Sequence, residues 1–221
     1  MSSIVWLEDN HYEFPPVEQA FTEPDGLLAA GGTLSPDILL KAYRHGIFPW
    51  YSQGQPVLWW SPDPRCVLFP EKFKLSRSLK KTLNKGLFDI RQDTAFAEVM
   101  LNCAKPRKNE AGTWITDDML RAYTRMHELG HAHSIECWQG DKLAGGLYGI
   151  SLGEIFFGES MFSNQADASK VALEYLCNRV KPKLIDVQVY SKHMERLGAE
   201  MIPRRRFLEY LKKMFRTSGP A

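Results

Sequence analysis

Apolar positions along the first 65 residues give one clear helical stripe, Ile38, Leu39, Ala42 and Tyr43, at the three-to-four-residue spacing of a helix that buries one side. Ser35 suits its N-cap, Pro36 its first position and Gly46 the turn after its last residue. The flanking stretches 26–32, 46–51 and 59–65 are rich in Gly, Pro and Trp, and read as irregular, aromatic-walled loops.

Beyond Arg65 the period switches between two and three to four. Residues 66–69 read as a strand, and Ser76 caps a short helix that ends at Gly86. A second helix starts at Asp93 or Thr94 and runs through Phe96, Val99 and Met100. A third starts at Thr116, with Met119, Leu120, Tyr123 and His127 on one side, and ends at Gly130. Strands at 133–138, 142–150 and 154–162 follow, joined at Gly140-Asp141 and Leu152-Gly153, which suit hairpins. Then come a helix over 168–180, a strand over 184–190 and a basic helix opened by Pro203. The order predicts an α+β fold: a small N-terminal domain over 1–65 and a second domain over 66–221 with a largely antiparallel sheet.

Composition supports a globular chain: of 221 residues, 44% are apolar and 24% charged, enough for a sizeable core and too apolar for a disordered tail. No apolar run approaches the ~20 residues of a membrane helix, and residues 1–9 lack the basic start of a secretory leader. A cytoplasmic protein without membrane contact is expected. Cys66, Cys103, Cys137 and Cys177 form no C-x-x-C pair, so they read as isolated thiols rather than a zinc ribbon or redox dithiol.

The net charge of +2 conceals a separation. No lysine or arginine precedes Lys41, while Glu8, Asp9, Glu13, Glu18, Glu23, Asp25 and Asp37 do. Lys72, Lys74, Arg77, Lys80, Lys81 and Lys85 form a run without acids, and Arg204, Arg205, Arg206, Lys212, Lys213 and Arg216 face Glu209 alone. Such runs are either solvated helix faces or a surface for a polyanion.

His127-Glu-Leu-Gly-His131 matches the zinc-peptidase pattern H-E-x-x-H. That chemistry needs both histidines on one continuing helix face, and Gly130 ends the helix inside the motif. No metal site is expected. In 184–190, alternation puts Ile185, Val187 and Val189 on one face, read as the core side, and Asp186 and Gln188 on the other. The acid and amide then face either solvent or a cleft. Glu159 sits among bulky apolar residues, where an unpaired carboxylate is costly; it either pairs with an internal base or awaits a cationic ligand. Gly145, Gly146 and Gly149 lie in a strand context and signal close backbone approach rather than phosphate binding.

Taken together, several stretches resemble the bacterial leucyl/phenylalanyl-tRNA–protein transferase family. They are residues 26–32, Gly46-Ile-Phe-Pro-Trp50, Trp59-Trp-Ser-Pro-Asp-Pro-Arg65, Gly112-Thr-Trp-Ile115, residues 127–136, Gly158-Glu-Ser-Met-Phe-Ser163, Ala168-Ser-Lys170, Leu184-Ile-Asp-Val-Gln188 and Ile202-Pro-Arg-Arg205, in family order over nearly the whole chain.

The resemblance implies transfer of leucine or phenylalanine, and methionine less well, from aminoacyl-tRNA to proteins beginning with Arg or Lys, which marks them for N-end-rule degradation. It implies an N-acetyltransferase-like second domain related to the Fem transferases, a monomer and no cofactor. In its terms Asp186 and Gln188 are the reacting pair, with Asp186 drawing a proton or orienting the amine. Glu159 meets the acceptor's cationic residue, and Trp50, Trp114, Met161 and Ser163 surround the aminoacyl group or terminal adenosine. Lys72, Lys74, Arg77, Lys80, Lys81, Lys85, Arg204 and Arg205 grip the acceptor stem through phosphates. On this reading Asp186→Ala would abolish transfer and leave folding nearly intact.

Overall fold

In the computed structural model, which describes residues 4–8, 13–106 and 115–217, the N-terminal stretch holds more regular structure than its loop-like composition suggests. Strands β1 (Val5–Leu7), β2 (Leu27–Gly31), β3 (Phe48–Pro49) and β4 (Leu58–Trp60) form a four-stranded sheet in the order β1-β2-β4-β3. Helix α1 (Pro36–Arg44) lies between β2 and β3, and its Leu39, Ala42 and Tyr43 are fully buried. Pro36 supplies the helical φ at its start. Gly46, at φ 74°, turns the chain where a Cβ would lie 2.9 Å from the Leu208 side chain. Trp59 is buried, and its indole N–H donates to the Gly31 carbonyl at 2.9 Å.

The second sheet draws on β5 (Arg65–Leu68), β6 (Asp89–Gln92), β7 (Ala132–Gln139), β8 (Lys142–Leu152), β9 (Ile155–Ser163), β10 (Leu184–Gln188) and β11 (Glu200–Ile202). Their order is β11-β5-β10-β9-β8-β7-β6. Every neighbouring pair is antiparallel except β9 and β10. The expected meander is β7–β8–β9, and the fold class is α+β.

Helices α2 (Arg77–Asn84) and α4 (Asp117–Glu128) start where hydroxyl capping predicts: Ser76 accepts from the Leu79 N–H at 3.1 Å, and Thr116 from that of Met119 at 3.3 Å. Helix α3 (Phe96–Cys103) departs from the reading. Asp93 adopts φ 57° and binds His133 and the Ser134 N–H, each at 2.8 Å. The Glu136 carboxylate, reaching over from β7, takes the Thr94 and Ala95 N–H groups at 2.9 Å instead. An acid placed by tertiary structure thus replaces a local cap.

Helix α5 (Ala168–Tyr175), which continues as a π-helical turn over Leu176–Val180, covers one face of this sheet. Ala144, Leu147, Val171, Ala172 and Leu176 share the apolar cluster there. On the other face Phe96, Val99, Met119, Tyr123 and Tyr148 share a cluster with Leu39, Tyr43 and Trp59, and with Phe207 and Leu211 of α7 (Arg204–Thr217). Helix α6 (Lys192–Arg196) links β10 to β11. The β8 glycines permit close approach: a Cβ on Gly145 would lie 2.5 Å from that of Ala168, and one on Gly149 2.2 Å from the Phe157 carbonyl. All four cysteines are buried, and none forms a disulfide.

Candidate functional site

Parallel pairing between β9 and β10 covers only three positions, ending at Asp186 opposite Phe157. Beyond it β9 stays with β8 while β10 turns away, so the sheet splits. A cavity of about 480 Å3 occupies the split, between the β3 segment and the chain leaving β10. Asp186, Gln188, Glu159, Trp50, Met161 and Ser163 all line it. A second hollow, about 660 Å3 and walled by Phe69, Glu154, Lys183 and Tyr210, holds none of these residues, and its Lys183 is paired with Glu154 at 2.7 Å.

The acid and the amide reach the cavity, but not by plain alternation. The β5–β10 register shifts between Asp186 and Gln188. Gln188 adopts φ 70°, and the Val189 N–H bonds the Val187 carbonyl at 2.9 Å, which makes a γ-turn centred on Gln188. The strand therefore ends at Gln188. Val189 is exposed and Val187 only half buried, which corrects the expected core row to Ile185 alone. Backbone held in this sparsely occupied region costs of order 1–3 kcal/mol and needs surrounding contacts to maintain it. Asp186 supplies one: its Oδ1 accepts the Gln188 N–H at 3.0 Å.

Asp186 is fully buried, and its partner is a residue that sequence patterning missed. Arg65 donates from Nε to Oδ1 at 2.8 Å and from Nη2 to Oδ2 at 2.7 Å, with neither side chain exposed. The guanidinium also donates to the Gly46 carbonyl at 3.1 Å and lies between the Phe48 and Phe207 rings, 4.7 Å from each centroid. The available signal was an arginine opening the otherwise apolar strand Arg65-Cys-Val-Leu68: a buried guanidinium requires a carboxylate.

Among the described residues no base pairs with Glu159, and neutral donors surround it instead. Tyr43 of α1 donates to its Oε1 at 2.8 Å, Tyr123 of α4 to its Oε2 at 3.0 Å, and the Gln188 carboxamide to its Oε1 at 2.7 Å. The two tyrosine oxygens also meet, and with one proton apiece the three contacts are all hydrogen bonds only when the Glu159 carboxyl carries a proton and donates to one of them. Burial raises the Glu159 pKa from 4.5 to about 7, against the opposing pull of those three donors. Both tyrosines are pushed well above 10, first by burial and then by the Glu159 charge, so they remain donors. The sequence showed them only as members of apolar helix stripes.

Part of the cavity wall is apolar, from Phe156, Met161, Leu173, Leu176, Ile185 and Met194 of the cluster beneath α5. Trp50, 38% exposed, also lines the cavity and lies beside Trp60, with ring centroids 5.8 Å apart. Ser163 accepts the Ser169 N–H and donates to its hydroxyl, both at 2.9 Å, and so ties the end of β9 to the start of α5. Trp114 and the stretch 107–114 lie outside the described residues.

Among the basic residues, Lys74, Arg77, Lys80, Lys81 and Lys85 are exposed on and beside α2. Lys72 pairs with Glu200 at 2.6 Å. Arg204 is committed within the chain: its side chain is only 12% exposed, and it holds the Ser61 carbonyl and approaches Asp63. Arg205 is almost fully exposed, with Glu209 at 3.3 Å. As for H-E-x-x-H, α4 ends at Glu128 and Gly130 adopts φ 79°. The His127 ring stacks on Phe96 at 4.3 Å and its Nδ1 meets the Ala132 carbonyl at 2.8 Å. Among the described residues no three His, Cys, Asp or Glu side chains converge as a metal site, and no helix is long and apolar enough to cross a membrane.

Comparison with known proteins gives consistent similarities. A family profile described as leucyl/phenylalanyl-tRNA protein transferase matches residues 67–212, and one for that family's N-terminal domain matches residues 32–63. The leucyl/phenylalanyl-tRNA–protein transferase of Stutzerimonas stutzeri is 54% identical over 211 residues, covering 94% of this chain and 93% of that protein. Its counterpart in Aromatoleum aromaticum is 57% identical over 207 residues, covering 92% and 87%. Among solved structures, a GCN5-related N-acetyltransferase from Kribbella flavida aligns at 8% identity and TM-score 0.36, covering 76% of this chain and 61% of that one.

Proposed function

The chain belongs to the leucyl/phenylalanyl-tRNA–protein transferase family and is an aminoacyltransferase, and from that premise we propose the substrates and the division of labour in its cavity. The enzyme moves leucine or phenylalanine, and methionine less well, from tRNA to proteins beginning with Arg or Lys, and so marks them for N-end-rule degradation in the cytoplasm. The observation that carries this reading is the mixed lining of the cavity: the apolar side chains of Phe156, Met161, Leu173, Leu176 and Ile185, together with a buried carboxylate, Glu159. The apolar wall suits a large aliphatic or aromatic side chain. The carboxylate suits a cation, and Trp50 offers an aromatic face on which a terminal adenosine can stack.

The aminoacyl ester is already activated, so the step needs no added energy source. The acceptor's α-amino group, with a pKa near ~8, attacks as the neutral amine. Its nitrogen bonds the ester carbonyl carbon, the bond from that carbon to the ribose oxygen breaks, and the amine proton ends on the departing ribose hydroxyl. Gln188 orients the amine through its carboxamide, whose N–H already points at Glu159. Asp186 acts one step back: with both oxygens on Arg65, it fixes the γ-turn that presents Gln188. Orientation of this kind supplies rate by holding the reactants in attacking geometry. Exposed Arg77, Lys80, Lys81, Lys85 and Arg205 grip the acceptor stem through phosphates, giving affinity without reading sequence.

Incubation with Leu-tRNA and peptides differing only in their first residue tests the reading by product mass. Leucine is expected on peptides beginning with Arg or Lys. Equal transfer to peptides beginning with Ala or Glu would remove Glu159 from acceptor choice.

A further inference from the structure

Three buried side-chain hydroxyls make no hydrogen bond among the described residues: those of Ser61, Tyr148 and Ser160. Two of the three, Tyr148 and Ser160, line the cavity. A fully buried tyrosine that leaves its hydroxyl unpaired sacrifices stability, and such sites in native proteins call for an explanation.

The two residues are neighbours for a reason visible in the register. Tyr148 of β8 lies opposite Ser160 of β9, and the next pair is Gly149 with Gly158, which leaves Glu159 as the unopposed residue of a bulge. Directly opposed residues of an antiparallel pair project on the same face. Tyr148 and Ser160 therefore form a pair beside the Glu159 carboxylate, the kind of local re-aiming that bulges provide. The Tyr148 ring is fixed, edge-on to Phe96 at 5.8 Å and to Tyr123 at 6.0 Å. Burial and the Glu159 charge keep its phenol protonated.

Several other polar groups in the wall already have partners: the Gln188 carboxamide donates one N–H to Glu159, Ser163 donates to Ser169, and Tyr190 donates to Glu195. Asp186 and Glu159 are carboxylates that would repel developing negative charge. Aminolysis of an ester nonetheless places a full charge on the carbonyl oxygen as the tetrahedral intermediate forms, and that oxygen needs donors already in position.

We propose that the hydroxyls of Tyr148 and Ser160 are catalytic donors that bind the ester carbonyl oxygen of the aminoacyl-tRNA and stabilise the oxyanion formed on it. The inference rests on the reading of the cavity as the site of ester aminolysis. It assigns opposite tasks to neighbouring residues: Glu159 draws the cationic acceptor, and the pair beside it holds the charge that the acceptor's attack creates. The strand bulge is what allows both in so small a space.

The test uses the full-length chain with Tyr148→Phe and, separately, Ser160→Ala, on Phe-tRNA and a peptide beginning with Arg. Three quantities are read: the single-turnover transfer rate at saturating substrates, the acceptor KM and the melting temperature. Each variant is expected to lose about 100-fold in rate, to keep its acceptor KM, and to melt at the same or a higher temperature because an orphaned buried hydroxyl has gone. A rate within about threefold of the parent chain overturns the proposal, as does a loss confined to acceptor KM, or a lower melting temperature with an unchanged rate. Should the parent chain itself transfer nothing, the aminolysis reading fails and takes this inference with it; an active parent with active variants overturns the inference alone.

Discussion

Arg65 and Asp186, 121 residues apart, meet as a two-point ion pair with neither side chain exposed. They lie on neighbouring antiparallel strands, and the guanidinium ties three parts of the chain to one carboxylate: the turn at Gly46 through its carbonyl, Phe48 of β3 and Phe207 of α7 through their rings. The N-terminal sheet, the C-terminal helix and β10 thus meet at one buried charge pair. Asp186 then passes that order to Gln188 through one backbone hydrogen bond.

Removing one partner should unfold more than it inactivates. Asp186→Ala leaves a buried guanidinium unpaired, which costs about 3–5 kcal/mol; this reverses the sequence expectation that folding would survive. Replacing both partners by apolar residues, Arg65→Met with Asp186→Leu, should restore most of that stability while transfer stays lost. Denaturant midpoints beside a transfer assay separate the two effects, and a single variant as stable as the parent would show that the pair carries no such load.

Glu159 should make stability fall with rising pH in an unusual window. Its carboxyl moves from about 4.5 when unfolded to about 7 when folded, because burial disfavours the charge. The folded state therefore holds a proton that the unfolded state has released. Its stabilising contribution is complete below pH 4.5 and is lost as pH climbs to about 7, at ~1.4 kcal/mol per unit or roughly 3 kcal/mol in all. Glu159→Gln should flatten this segment of the stability curve and leave the remainder unchanged. A parental curve already flat between pH 4.5 and 7 would remove the claim.

Local signals in the sequence carried far, and their failures are instructive. Ser76 and Thr116 cap because a hydroxyl needs only the N–H three residues ahead, and the meander follows from hairpin residues between alternating runs. Long-range partners were invisible. Periodicity put Tyr43 and Tyr123 on buried helix faces but said nothing of where their hydroxyls end, and both end on a carboxylate from another element. Alternation placed Asp186 and Gln188 on one side for the wrong reason. A γ-turn, rather than a continuing pleat, brings Gln188 round, and Val189 emerges into solvent as a result.

The glycine at 149 should tolerate no side chain. A Cβ there would stand 2.2 Å from the Phe157 carbonyl and 2.6 Å from the Phe156 ring, inside the β8–β9 ladder next to the bulge that sets Glu159. Backbone cannot yield as a flexible side chain can, so Gly149→Ala should cost ~1–3 kcal/mol or more, as overpacking does. Gly140→Ala supplies the contrast: no atom lies within 4 Å of its would-be Cβ, and its cost comes only from a φ of 58°. Equal denaturant shifts for the two variants would mean that the strands part more easily than the geometry allows.

Charge on α2 should govern how tRNA binding responds to salt. Lys80 and Lys81 are exposed on a helix with no acid in its first turn, and each phosphate neutralised by such a lysine releases condensed counterions. The logarithm of affinity then falls with the logarithm of salt by roughly 0.7–0.9 per contact. Lys80→Glu with Lys81→Glu should reduce that slope by about 1–2 and weaken binding most at low salt. Leu79, the buried residue of this helix, is untouched, so the melting temperature should hold. Titrations of labelled tRNA from 50 to 300 mM potassium chloride would read the slope directly, and a slope identical to the parent's would place the acceptor stem on another surface.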